Sequence, residues 1–137
     1  MRLALASAML LMSGRPAVET GVWKSCSIST VSICTPAGCA WRKPAISIFV
    51  ADHVEGGVER AAYYRCELRV VRCDRYIPLV HRTGDFVVFS LPSQSVFAKL
   101  APDGRITDVA AVKDTVFVSR GRCTPGAPPR NAPEKSG

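Results

Sequence analysis

Six cysteines, Cys26, Cys34, Cys39, Cys66, Cys73 and Cys123, are the residues of this chain best equipped for chemistry. A thiolate can bind zinc, attack an electrophile or pair as a disulfide, and spacing helps to separate these uses. Seven residues lie between Cys26 and Cys34, four between Cys34 and Cys39, and six between Cys66 and Cys73. None of these gaps is the two-residue knuckle of a structural zinc site, so no metal is expected. An even number of cysteines in a short chain points instead to three disulfides and an oxidising compartment.

Acid–base and nucleophilic chemistry have few candidates. The two histidines are His53 and His81, and no Gly-x-Ser-x-Gly elbow is present. Asp52-His53-x-Glu55 resembles a metal or proton-transfer cluster on paper. Strand alternation would send Asp52 and His53 to opposite faces, and the following Gly56-Gly57 marks a turn, so a solvated loop is expected there. His81, between Val80 and Arg82, is expected at the surface. No catalytic residue and no cofactor is assigned.

A denser signal is basic and aromatic. Arg60, Arg65, Arg69, Arg72, Arg75 and Arg82 fall within 23 residues, with Tyr63, Tyr64 and Tyr76 among them. Such interleaving on a sheet can bind polyanions. Arg69, Arg75, Arg82, Tyr63 and Tyr76 are the candidates for an anion or partner surface. Nucleic acid is disfavoured as that partner, because Glu67 and Asp74 oppose two of the arginines and the compartment is wrong.

The elements that must position these groups are strands. From Thr20 onward apolar residues recur at period two or in short runs, rich in β-branched and aromatic types, with no sustained helical spacing. Strands are expected at 21–28, 45–51, 61–68, 70–80, 85–91, 95–100, 105–112 and 115–119. Leu91-Pro92-Ser93-Gln94, Pro102-Asp103-Gly104 and Lys113-Asp114 are short polar connections of the kind that join antiparallel neighbours. Residues 34–44, with Thr35-Pro36-Ala37-Gly38, read as an irregular loop. The fold class is therefore all-β: a small antiparallel meander, barrel or sandwich, of seven to eight strands, stapled by disulfides.

One register can be argued. If Cys66 faces Cys73, paired numbers in that hairpin sum to 139, which sets Glu67 against Arg72, Arg65 against Asp74 and Tyr63 against Tyr76 on one face. Leu68 against Val71 and Cys66 against Cys73 then share the other face, with Tyr64 opposite Arg75. A charged solvent face and an apolar buried face are expected. This register puts Arg69 and Val70 at the turn, and it places the Tyr64 ring under the Arg75 guanidinium. Six cysteines permit fifteen pairings. The pairing favoured here closes a small loop with Cys34 and Cys39, joins Cys66 to Cys73, and links Cys26 on the first strand to Cys123 beyond the last, as a sheet closing on itself would allow.

Composition sets the frame. The 137 residues are 47% hydrophobic and 21% charged, which suffices for one core and excludes an intrinsically disordered chain. Arg2 followed by an uncharged run to Met12 reads as an export signal, too short to span a bilayer. Residues 1–17 are taken as that signal, 18–123 as a single β domain and 124–137 as a disordered proline-rich tail. Net charge is +7, and +5 without Arg2 and Arg15, which favours anionic partners or simply solubility. A periplasmic or secreted protein without a transmembrane span in the mature chain is expected.

Gly21-x-Trp23 opens the first strand of this meander, which resembles the start of lipocalin, avidin and small bacterial protease-inhibitor barrels. The resemblance covers one tripeptide and a general topology. It implies a tryptophan at the barrel floor near an arginine from the end of the last strand, here Arg120 or Arg122. The chain departs from lipocalins in length and in having Val109 after Thr107-Asp108 where they carry Thr-Asp-Tyr. An interior filled by side chains is expected at this size. The functional expectation is a non-catalytic binding module for a protein or small ligand, a hydrolase inhibitor included. The alternatives are an envelope component that binds anionic surfaces and an enzyme with an unrecognised site.

Overall fold

The computed structural model describes residues 21–54, 61–69 and 72–129. The fold is all-β, with ten strands and a single 3-10 turn, at Pro92–Gln94, among the described residues. The strands are β1 (Gly21–Thr35), β2 (Gly38–Arg42), β3 (Ile46–Val54), β4 (Ala62–Glu67), β5 (Arg72–Tyr76), β6 (Leu79–Thr83), β7 (Phe86–Leu91), β8 (Val96–Leu100), β9 (Arg105–Val112) and β10 (Thr115–Pro125). They form one antiparallel sheet, in the order β5-β4-β3-β1-β10-β9-β8-β7-β6 with β2 added to β1, curled into a half-barrel.

Ten strands correspond to eight passes of the chain. β2 and β3 pair with successive stretches of β1, Val31 to Thr35 and Gly21 to Ser27, and are two pieces of one pass separated by Lys43-Pro44-Ala45. β5 and β6 are separated by Ile77-Pro78 alone, and they are the two outer edges of the ladder. Residues 70–80 are thus two strands and not the single strand expected. A proline has no N–H to give to a ladder, so the chain breaks its pairing there and changes neighbours, from β4 to β7. The expected loop at residues 34–44 is also corrected: Thr35 to Gly38 make a tight turn, and Gly38–Arg42 pairs back onto β1. β1 and β10 run longer than expected, which brings Cys123 and Thr124 into the last strand.

β1 and β10 are the spine of the molecule, paired from Lys24↔Pro125 to Cys34↔Val116 with a bulge between Ile28 and Thr30. The two backbones approach so closely at Gly121 that a Cβ there would lie 2.0 Å from the Ser27 carbonyl oxygen, so only glycine fits. Cys26–Cys123, Cys34–Cys39 and Cys66–Cys73 are disulfide-bonded, and no described cysteine is free. Cys26–Cys123 joins the first strand to the last across 97 residues of sequence.

Alternation sorts the side chains into two sets. Ile48, Tyr63, Phe89, Leu100, Ile106 and the Cys26–Cys123 disulfide belong to the interior core. A second, smaller cluster of Trp23, Ala51, Ala62, Tyr64 and Cys66–Cys73 lies on the opposite face of β1, β3, β4 and β5. Trp23 packs on Tyr64, with ring centroids 5.7 Å apart, and is not at a barrel floor beside Arg120 or Arg122. The geometry implied by Gly21-x-Trp23 is therefore absent: on β1, Lys24, Cys26 and Ile28 share the inward parity and Trp23 the outward one.

Candidate functional site

The β4–β5 register is the one argued from sequence, Tyr63↔Tyr76, Arg65↔Asp74, Cys66↔Cys73 and Glu67↔Arg72. The apolar face is buried as expected, with Cys66, Cys73 and Tyr64 in the second cluster, and Glu67, Arg72 and Asp74 of the charged face are exposed. The departure is on the charged face, where Tyr63 is fully buried in the interior core and Arg65 and Tyr76 are half-buried. Curling explains the difference. The concave side of the half-barrel encloses Tyr63 in the core, and the opposite side of the sheet carries its own buried apolar cluster.

Inside, Asp108 of β9 meets β4 from the facing wall. The Tyr63 hydroxyl donates to Asp108 Oδ2 at 2.5 Å, and Arg65 Nη2 donates to Oδ1 at 3.0 Å. Asp108 sits between Ile106 and Ala110 in the alternation of β9 and is completely buried. Burial raises its carboxyl above the usual range and outweighs the opposing effect of Arg65. Burial likewise pushes the Tyr63 phenol well up, aided by the Asp108 charge. Tyr76, half-buried beside Asp74, is raised for the same reasons. This triad fastens opposite walls together, and it leaves Arg65 Nε buried without a hydrogen-bond partner among the described residues.

The five residues singled out for partner binding are therefore dispersed. Tyr63 is in the core, and Tyr76 packs against it. Arg75 lies over the Tyr64 ring, 5.8 Å from its centroid, and Arg82 is ion-paired with Asp52 of β3. Arg69 is exposed in the turn after β4, and Arg82 is exposed as well. Arg65 pairs with Asp108 and Arg72 with Asp74 at 3.9 Å, in place of the expected Arg65–Asp74 and Arg72–Glu67 pairs. His81 is exposed on β6 opposite Val88. The side chain of His53, all of Glu55, Arg60 and Val70, the signal at 1–17 and the tail from 130 onward lie outside the described residues.

A different basic group does converge. On the outer face, cross-strand partners bring Thr30 beside Arg120, Arg120 beside Thr107 and Thr107 beside Lys99. The adjacent row sets Ser27 beside Arg122 and Arg122 beside Arg105. Together they line a shallow depression of about 850 Å3 spanning β1, β10, β9, β8 and the start of β7. Lys99 Nζ lies 4.1 Å from the centroid of the Phe86 ring.

Asp103 is the carboxylate that enters this group. It accepts from the Arg105 backbone N–H at 3.1 Å and from Arg105 Nε at 2.7 Å, while Arg122 Nη1 donates to its carbonyl oxygen at 3.0 Å. The backbone bond from Arg105, with the charges of Arg105 and Arg122, holds the Asp103 carboxyl below the usual range. Four cations against one carboxylate leave the depression strongly positive. The hydroxyls of Ser27, Ser29, Thr30 and Thr107 surround it. Guanidinium, ammonium and hydroxyl donors around one depression are the equipment for phosphate or sulfate groups.

Little in the local pattern announces this site. Lys99, Arg105, Arg120 and Arg122 are spread over 24 residues, and only the meander folds them together. The resemblance assigns Arg120 or Arg122 another role, beside Trp23 at a barrel floor. The usable signal was the pair of short connections at 102–104 and 113–114, which fix the pairing of residues 99, 107 and 120.

Among the described residues no helix is long and apolar enough to cross a membrane, and no group of histidine, cysteine and carboxylate side chains could hold a metal. Intramolecular disulfides are compatible with a periplasmic or extracellular protein. Comparison of the chain with protein-family models, with curated proteins and with solved structures finds no match.

Proposed function

We propose that this domain is an exported, non-catalytic binding module of the cell envelope or exterior, and that its ligands carry phosphate or sulfate groups. The observation that supports this reading is the convergence of Lys99, Arg105, Arg120 and Arg122 around one hydroxyl-lined depression. Of these, Lys99 and Arg120 reach the depression without a carboxylate partner among the described residues, whereas Arg105 is tied to Asp103. Three disulfides support an oxidising destination, in keeping with an N-terminal signal at residues 1–17.

Binding to immobilised heparin as a generic polyanion tests the reading. Retention should weaken steeply with salt, and the Lys99→Gln/Arg120→Gln double variant should elute much earlier than the parent protein. An equal change for Arg69→Gln/Arg82→Gln would show a diffuse charge effect and overturn the assignment to this face. Intact mass of protein recovered from its host, with thiols alkylated before and after reduction, tests export. Loss of the N-terminal residues and six cysteines reactive only after reduction are expected.

A further inference from the structure

The basic rows do not stand alone on that face. One row further along the same strands, cross-strand partners align Trp41 of β2, Ser32 of β1, Val118 of β10, Val109 of β9 and Phe97 of β8. Trp41 is 69% exposed and Phe97 47% exposed. Val116, two residues from Val118, is exposed as well. Along a strand, two residues span about 7 Å, so this apolar row borders the row of Arg120, Thr107 and Lys99 directly.

We propose that this face seats the protein on the surface of a bilayer containing anionic lipids, with Lys99 and Arg120 against the phosphates and Trp41 and Phe97 entering the headgroup–acyl boundary. The inference rests on the anion-binding reading of the same face and names its partner. A soluble polyanion would use the cations and leave Trp41 and Phe97 in water. A protein partner would favour a compact, desolvated pocket ringed by polar groups, and here the apolar side chains form a band beside the charges. A bilayer uses both bands, because cations are drawn to its anionic surface and the amphipathic ring of tryptophan prefers the interfacial depth. β2 presents Trp41 on an edge strand that pairs only with β1 among the described residues, so nothing described flanks the ring on that side.

The test uses the full, disulfide-intact chain with vesicles of phosphatidylcholine alone, or with a quarter phosphatidylglycerol. Co-sedimentation with the phosphatidylglycerol vesicles only is expected. Brominated acyl chains should quench the tryptophan fluorescence of the bound protein, and Trp41→Phe should remove that quenching, since Trp23 is buried. Each cation neutralised at Lys99 or Arg120 should lower partitioning about fivefold. Trp41→Ser/Phe97→Ser should weaken vesicle binding and leave heparin retention unchanged. Retention on heparin without binding to phosphatidylglycerol vesicles would overturn the bilayer inference while the anion reading stood. Loss of both would overturn both. Sedimentation as a dimer that Trp41→Ser dissociates, with no vesicle binding, would assign the apolar row to a second copy and overturn the proposal.

Discussion

Two groups of cations in this molecule have opposite fates. Arg65, Arg75 and Arg82 come from the segment where basic residues are densest, and each is engaged within the fold, by Asp108, the Tyr64 ring and Asp52 respectively. Lys99, Arg105, Arg120 and Arg122 come from sparse positions and converge around one outward depression. Local density of charge in a sequence thus says little about where a binding surface forms. What decides is which face alternation assigns to a residue and which strands the topology sets beside it.

Perturbing the links between walls should show the inward group as structural. The largest effect is expected from Cys26→Ala/Cys123→Ala, which opens the link between the first and last strands. Chain-entropy arithmetic for 97 residues gives about 4.7 kcal/mol, against roughly 2 kcal/mol each for the short Cys34–Cys39 and Cys66–Cys73 loops. Urea unfolding of the three paired variants should reproduce that order, and equal midpoints would show that loop length is not what the links contribute.

Next in size is Asp108→Ala, which strips both Tyr63 and Arg65 of their acceptor in the interior. A loss of about 3 kcal/mol is expected from urea unfolding. A loss below 1 kcal/mol would mean that the inward group is no more structural than the outward one.

Titration should sharpen the contrast. Asp108 has a raised pKa in the folded protein, so the native state holds its proton longer than the unfolded chain does. Its contribution to stability is fully present below the unfolded value near 4 and is lost as pH rises through the folded value. Asp108→Asn should flatten that segment of the stability profile. Asp103, lowered and exposed, has the opposite sign, its stabilisation fading as pH falls through the folded value. Tyr63 extends the pattern to alkali: its raised phenol pKa makes stability fall as pH climbs above about 10, and Tyr63→Phe should remove that loss.

The smallest stability effect belongs to the outward group. Lys99→Gln/Arg120→Gln should change unfolding free energy by less than about 1 kcal/mol, because these are surface side chains and the variant removes only the exposed contact of Lys99 with the Phe86 ring. Heparin retention should nevertheless fall sharply. A variant that lost stability and binding together would erase the distinction between the two groups.

Much of the architecture was legible in the residues. Period-two patterning marked the strands, 105–112 to the residue, because each strand has one face against the core. The β4–β5 register followed from the spacing of Cys66 and Cys73, since one register fixes every other pair in a hairpin. Pro44 and Pro78 marked the interruptions of two passes in plain sight, yet 70–80 still read as continuous, because its apolar residues run on through Ile77. Gly38–Arg42 was hidden for a different reason. All five of its residues are exposed, so no buried face imposed an alternating pattern.

By itself, then, the sequence determined the class of structure, the local pairings and the chemistry of the cysteines, because hydrophobic alternation, turn residues and loop closure act over short stretches of chain. Only the tertiary structure decided that Tyr63 of the charged face is enclosed in the core, that Asp108 meets Tyr63 and Arg65 across the interior, and that four scattered cations share one surface. Those outcomes depend on how the sheet curls and on which strands become neighbours across tens of residues, and nothing in the local pattern of either strand encodes the other's position.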